Sequence, residues 1–191
     1  MKKIVFFLIS YLFLISILFI PILFNSISET PSISLNTSES IWPIPGYTII
    51  SSPFGKRISP TAGASSFHKG TDIPAPEGTR LLAVCDGIIT FTGFLGGGGY
   101  TITFTNNNIK ISYCHVSPIF IVSVGDHVKK GQIIGNVGPK YVYGVVGNNY
   151  FDSTNGKPTN GATTGCHLHI GFRINDKYEN PLDYLKYVLL F

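Results

Sequence analysis

The stretch Thr163-Thr164-Gly165-Cys166-His167-Leu168-His169-Ile170-Gly171 carries two of the chain's five histidines, one residue apart. Residues 166–174 read as a short strand, and successive strand side chains point to opposite faces. His167 and His169 therefore share a face at a spacing of roughly 7 Å. Two imidazoles that close and aimed the same way point to a metal site or a proton-transfer pair. The residues alone leave that choice open.

Working outward, runs of strand length alternate with turn residues at 48–52, 80–84, 87–92, 100–105, 110–115 and 132–137. Gly96 to Gly99 and Asn106 to Asn108 punctuate them as hairpin turns. No segment between 47 and 178 has a helical period, so the body reads as all-β with antiparallel strands. With 21 Gly and 12 Pro, the composition agrees with a turn-rich β fold. Only 181–190 suggests a helix, with Asn180 as N-cap and Pro181 at the first helical position. Trp42 is expected to anchor the start of the folded part. The segment 138–164, rich in Gly, Asn, Thr and Pro, is long for a loop and precedes the histidine pair, which makes it a candidate wall of a substrate cleft.

Towards the N-terminus, residues 4–24 form an almost uninterrupted apolar run behind Lys2 and Lys3. At 1.5 Å per residue such a run can cross a bilayer core of about 30 Å. No A-x-A-like cleavage site follows, so an uncleaved signal anchor, a single transmembrane helix, is expected in place of a cleaved peptide. The two lysines place that end inside and the rest of the chain outside the cell. Secretion after cleavage is the alternative. The expected organisation is an anchor at 1–24, a polar linker at 25–40 and a folded domain at 41–191.

The formal charge is +4. Two of the basic residues precede the apolar run and no basic cluster follows, so nucleic-acid binding is not expected. The three cysteines, Cys85, Cys114 and Cys166, form no CxxC and cannot all pair within one chain, and buried thiols are expected over a Cys114–Cys166 bridge. By strand alternation Cys114 and Cys166 should face away from His115 and His167.

His68-Lys69-Gly70-Thr71-Asp72 is the second constellation, a histidine and a carboxylate four apart with Gly70 allowing a bend. His115 closes the strand at 110–115. Together with the pair, these residues offer the three protein ligands of a catalytic zinc and leave imidazoles over for proton transfer, which suits hydrolysis. Gly96 to Gly99 lacks the Lys-Ser/Thr and helix of a phosphate loop. His127, in the turn at 125–132, is expected to be exposed. Arg57 either orients substrate or makes a salt bridge.

The chain resembles the lysostaphin/LytM-type zinc metallopeptidases, endopeptidases that cut the peptides of bacterial peptidoglycan. The likeness runs from about residue 49 to 185, through Ser52-Pro53-Phe54-Gly55-Lys56-Arg57, His68-Lys69-Gly70-Thr71-Asp72, Tyr113-Cys114-His115-Val116, Gly125-Asp126-His127-Val128-Lys129-Lys130-Gly131-Gln132 and His167-Leu168-His169. It implies the antiparallel sheet of that family, the duplicated hybrid motif. It implies Zn2+ bound by His68, Asp72 and His169, with His115 and His167 as the unliganded catalytic pair, and it leaves open which of the two is base and which stabiliser. It also implies a peptidoglycan peptide as substrate; a non-catalytic extracellular scaffold or activator of the same fold is the alternative. Some members carry a tyrosine upstream of the first ligand, but here residues 48–99 contain none, and Phe67 offers no hydroxyl.

Overall fold

In the computed structural model, which describes residues 40–186, the alternation seen in 166–174 recurs across the sheet that it anchors. Eleven strands follow in order: β1 Gly55–Lys56, β2 Phe67–His68, β3 Thr71–Pro74, β4 Arg80–Leu82, β5 Gly87–Phe94, β6 Tyr100–Asn106, β7 Ile109–Cys114, β8 His127–Val128, β9 Ile133–Asn136, β10 His167–Ile174 and β11 Lys177–Glu179. Seven of them make one antiparallel sheet, ordered β11-β10-β7-β6-β5-β8, with β3 pairing the first half of β10. The pairs β1–β2 and β4–β9 are separate two-stranded sheets. No α-helix occurs among the described residues, and none of their helices is long and apolar enough to cross a membrane. The apolar run at 4–24 and the linker up to residue 39 lie outside the described residues.

The register explains why one face of this sheet is core and the other is cleft. Ile102 stands opposite Tyr113 and Tyr113 opposite Ile170, while Phe104, Ile111 and Phe172 form the next row. All six are buried, each worth about 1.5–3 kcal/mol against exposure. The intervening rows place Thr103, Ser112 and Gly171, then Cys114 and His169, on the opposite face. The small sheet β4–β9 covers the core face. The buried Tyr113 hydroxyl donates to the Leu82 carbonyl at 2.8 Å and accepts from the Val84 N–H at 3.2 Å, so the core contains no unpaired phenol. Trp42 is buried as expected, its indole N–H donating to the Tyr47 carbonyl at 2.8 Å.

Several local expectations are corrected. No strand forms at 48–52: Ser52 makes an isolated bridge to Asp72, with the Ser51 N–H donating to the Asp72 carbonyl at 3.0 Å. Of the helix expected at 181–190, residues 187–190 lie outside the described residues; Asn180 does cap, its side chain accepting from the Leu182 N–H at 3.2 Å, but the element described is a three-residue 3₁₀ turn, Pro181–Asp183. Lys186 then bridges Ile41 in parallel, which takes the backbone out of a helical path. The hairpin turns at Gly96 and Asn107 stand where the sequence placed them, linking β5 to β6 and β6 to β7.

All three cysteines are free, so the Cys114–Cys166 bridge is not formed. Burial pushes the thiols of Cys85 and Cys114 up to about 11, whereas Cys166 is half-buried. At pH 8 a thiol-specific disulfide reagent should therefore label one thiol per native chain rapidly, and Cys166→Ala should abolish that phase. Rapid labelling of all three would contradict this packing.

Candidate active site

The site assembles on the cleft face where β3, β7 and β10 meet. His169 stands directly across from Asp72 on one side and Cys114 on the other, so pairing alone brings the carboxylate to the imidazole. His68 enters from β2, which is paired with β1. His68 Nε2 lies 2.9 Å from His169 Nδ1 and 3.1 Å from Asp72 Oδ1, and His169 Nδ1 lies 2.8 Å from Asp72 Oδ1. His68 Nδ1 contacts the Pro53 carbonyl at 2.9 Å. A carbonyl only accepts, so Nδ1 holds the proton and Nε2 aims a lone pair at the group.

Three acceptor atoms at this spacing need a cation or a proton among them. Tetrahedral zinc with bonds near 2.0–2.1 Å spaces its ligands about 3.3 Å apart, close to this triangle. Two imidazoles and one carboxylate are also a donor set zinc accepts. His68, Asp72 and His169 are thus a group able to hold a metal ion. Burial raises the pKa of Asp72, but its close contacts with the His169 and His68 rings outweigh this and hold its carboxyl well below the usual carboxylate range.

His167 Nε2 stands farther off, 3.6 Å from Asp72 Oδ1. Its ring centroid is 4.7 Å from that of His115. His115 Nδ1 donates to the Asn160 carbonyl at 2.7 Å and His167 Nδ1 to the Gly165 carbonyl at 2.8 Å. Both rings therefore turn their Nε2 atoms, as lone pairs in the neutral form, away from those tethers. Burial, with the positive potential of His167 and His169, holds His115 down to about 3, and burial also lowers His167 against the pull of Asp72. These groups line one cleft of about 1300 Å³, which Ala162, Thr163 and Thr164 of the long loop help to wall.

A family model described as Peptidase family M23 matches residues 66–181, from β2 through the strand of the histidine pair. The chain belongs to peptidase family M23. Among its relatives is the DD-carboxypeptidase/endopeptidase Mpg of Neisseria meningitidis, 36% identical over 137 residues, or 71% of this chain and 27% of that protein. The peptidoglycan DD-endopeptidase ShyC of Vibrio cholerae is 31% identical over 69% of this chain and 26% of its own length. The chain thus spans about a quarter of the curated relatives it matches. The catalytic domain of lysostaphin from Staphylococcus simulans superposes with a TM-score of 0.56 at 28% identity, covering 72% of this chain and 91% of that domain. The lysostaphin-like fold expected from the motifs is the one the M23 chain has.

All five site residues expected from the sequence meet in this M23 cleft, while His127 is exposed on β8 and does not line it. The orientation of two cysteines is corrected, since Cys166 lines the cleft together with His167. Cys114 does not face away from the histidines; it shares the cleft face with His169, and His115, at φ 58°, breaks the alternation so that both line the cleft. A left-handed histidine costs about 1–2 kcal/mol. Here the His115 N–H bonds the Gly98 carbonyl at 2.8 Å and its carbonyl accepts from the Gly138 N–H at 2.9 Å, which pins the backbone. Gly70 lies in the expected bend between β2 and β3 and also serves space: a Cβ there would lie 2.6 Å from His169 Nε2 and 2.5 Å from the Ile170 carbonyl oxygen. Among the described residues the only tyrosine lining the cleft is Tyr178, a β11 residue that pairs Arg173.

Arg57 resolves to an ion pair. One of its N–H groups donates to Asp72 Oδ2 at 3.2 Å and to Ser52 Oγ at 2.6 Å, and Ser52 Oγ lies 3.2 Å from His68 Nδ1. It thereby steadies two of the three side chains that could hold a metal ion. Outer partners of this kind are worth about 10–100-fold in metal affinity. Arg57→Ala should weaken zinc binding by that factor in a competitive chelator titration, and an unchanged affinity would limit Arg57 to surface packing. Asn160 was not legible in advance, since its contribution to His115 is a backbone carbonyl.

Proposed function

We propose that this M23 chain is a zinc-dependent endopeptidase that hydrolyses peptide bonds in peptidoglycan stem or cross-bridge peptides. The observation that carries the reading is the convergence of His68 Nε2, Asp72 Oδ1 and His169 Nδ1 in a cleft that holds two further imidazoles, each tethered through Nδ1. Zinc bound there supplies a Lewis acid that polarises a carbonyl and lowers the pKa of a bound water to about 7. His68 and His169 supply neutral nitrogens, and Asp72 supplies charge. One of His115 and His167 takes at Nε2 the proton released when water adds to the scissile carbonyl, and the other, in its protonated form with Nε2–H as donor, hydrogen-bonds the oxygen where negative charge develops. The tethers to Asn160 and Gly165 fix both rings before substrate arrives, so little reorganisation is needed at the moment of reaction.

Retention of all five residues favours the enzyme over a scaffold of the same fold, which would need none of them. We further propose that residues 1–24 anchor the chain in the membrane as a single pass, with 25–40 as linker and the peptidase outside the cell. Digestion of purified peptidoglycan by the zinc-loaded protein, read by mass spectrometry of the released fragments, should show new peptide termini. Failure to release any fragment with the metal in place would leave the scaffold. Fractionation should find the protein with membranes, and its recovery in the medium would overturn the anchor.

A further inference from the structure

The cleft face of the main sheet continues past the metal-ligand group to a second cluster of charge. Along β10 the residues on this face are His167, His169, Gly171 and Arg173, and along β7 they are Cys114, Ser112 and Lys110. The register sets Arg173 directly opposite Lys110. Like charges facing each other across a strand pair destabilise a sheet. Lys69 joins them: its ammonium lies 4.8 Å from the centre of the Tyr178 ring, and the Arg173 guanidinium lies 5.9 Å from the same centre. Two cations thus flank one tyrosine, the third, Lys110, stands across the strand pair from Arg173, and all four residues line the same cleft as the histidines. Compensation is slight. Among the described residues no carboxylate lies within ion-pair distance of Lys69 or Lys110, and Arg173 meets only Asp176, at 3.1 Å, whose side chain is 90% exposed.

The floor between the two clusters is small and polar. Thr103, Ser112 and Gly171 stand in one row across three strands, and the Thr103 and Ser112 hydroxyls are 3.1 Å apart. The Lys69 carbonyl crowds the Gly171 end of that row, 3.1 Å from where a Cβ would sit, so an extended chain runs over β7, beside β10, from the metal-ligand group to the cations. Four residues of strand separate His169 from Arg173, or roughly 13 Å at 3.3 Å per residue. A bound extended peptide covers that distance in about four residues.

We infer that Lys69, Lys110 and Arg173 form a subsite for a carboxylate of the peptide substrate, about four residues from the bond that is cut. The inference rests on the endopeptidase reading for what the cleft holds. The unfavourable Lys110–Arg173 pairing is retained because the ligand's anion relieves it, and Arg173 can turn from Asp176 to make the planar two-point contact that a carboxylate accepts. The subsite selects acidic peptides over their amidated forms and acts through affinity, not through the chemical step.

The test uses the zinc-loaded full chain and soluble peptide-linked dimers released from purified peptidoglycan, with their carboxylates either free or converted to amides. The free-acid form should bind at least about 10-fold more tightly in calorimetry and show the same advantage in KM, with kcat little changed. In Lys110→Gln and Arg173→Gln that preference should collapse towards one, while Tm rises because one of two facing like charges is gone. A lower preference with a higher Tm separates a lost contact from a damaged fold. Equal affinity of the wild-type chain for both forms overturns the subsite. So does a preference that survives both substitutions and fades only with salt, which marks diffuse attraction. A chain that cleaves both forms equally well defeats the subsite alone. A chain that cleaves neither defeats the endopeptidase reading, and the calorimetric preference still decides the subsite.

Discussion

His169→Ala should leave the purified chain with less than about a tenth of the wild-type zinc and lower kcat/KM on peptidoglycan peptides by at least about 10³-fold. The magnitude follows from position. His169 Nδ1 closes the triangle with His68 Nε2 and Asp72 Oδ1, and a catalytic zinc with three protein ligands keeps little affinity when one is lost. Removing one electrostatic donor from an active site costs about 10²–10³, and removing the ion takes away more than one such contribution. The fold should survive, because the neighbours Leu168 and Ile170 point into the core and carry the packing of β10. Metal analysis and circular dichroism on the same sample check both halves. One zinc per chain in the variant would place the ion elsewhere.

His115→Ala and His167→Ala should each lower kcat by about 10²–10⁴-fold while zinc stays at one per chain. Losses from two residues acting on one proton path should not multiply, so the double variant should fall little below the worse single one. His115 also predicts an acid dependence of stability. Its ordinary value of 6.5 is lowered in the folded chain to about 3, with burial as the first cause. Between those values the unfolded chain binds a proton that the folded chain refuses, so stability present above pH 6.5 is lost as pH falls towards 3. The slope for one such histidine is up to about 1.4 kcal/mol per pH unit. In the metal-free protein His115→Asn should flatten the fall of the denaturant midpoint across this window. An unchanged slope would mean that His115 is freely protonated in the fold.

What the sequence made legible, and what it hid, divides by range of interaction. The strand of the histidine pair could be read because Leu168, Ile170 and Phe172 must reach the core on one face, which commits His167 and His169 to the other. The approach of His68 and Asp72 was carried by motif resemblance, since β2 and β3 are two and four residues long and too short for a period to show. Strand alternation misplaces Cys114 because it does not hold through His115, whose left-handed φ is set by bonds to Gly98 and Gly138 far along the chain. Asn160 escaped notice for a related reason: it acts on His115 through a carbonyl 45 residues away, which no side-chain pattern encodes. The turn after Asn180 is capped as expected, but a bridge between Ile41 and Lys186, residues far apart in sequence, takes the backbone out of a helical path by Lys186.

The most direct measurement is a crystal structure of the zinc-loaded chain with anomalous diffraction collected on both sides of the zinc edge. The anomalous peak should lie within bonding distance, about 2.0–2.2 Å, of His68 Nε2, Asp72 Oδ1 and His169 Nδ1, with His115 and His167 unliganded beside it. A peak bonded to His167 in place of His169, or no zinc peak in the cleft, would contradict the assignment of the three ligands and of the catalytic pair.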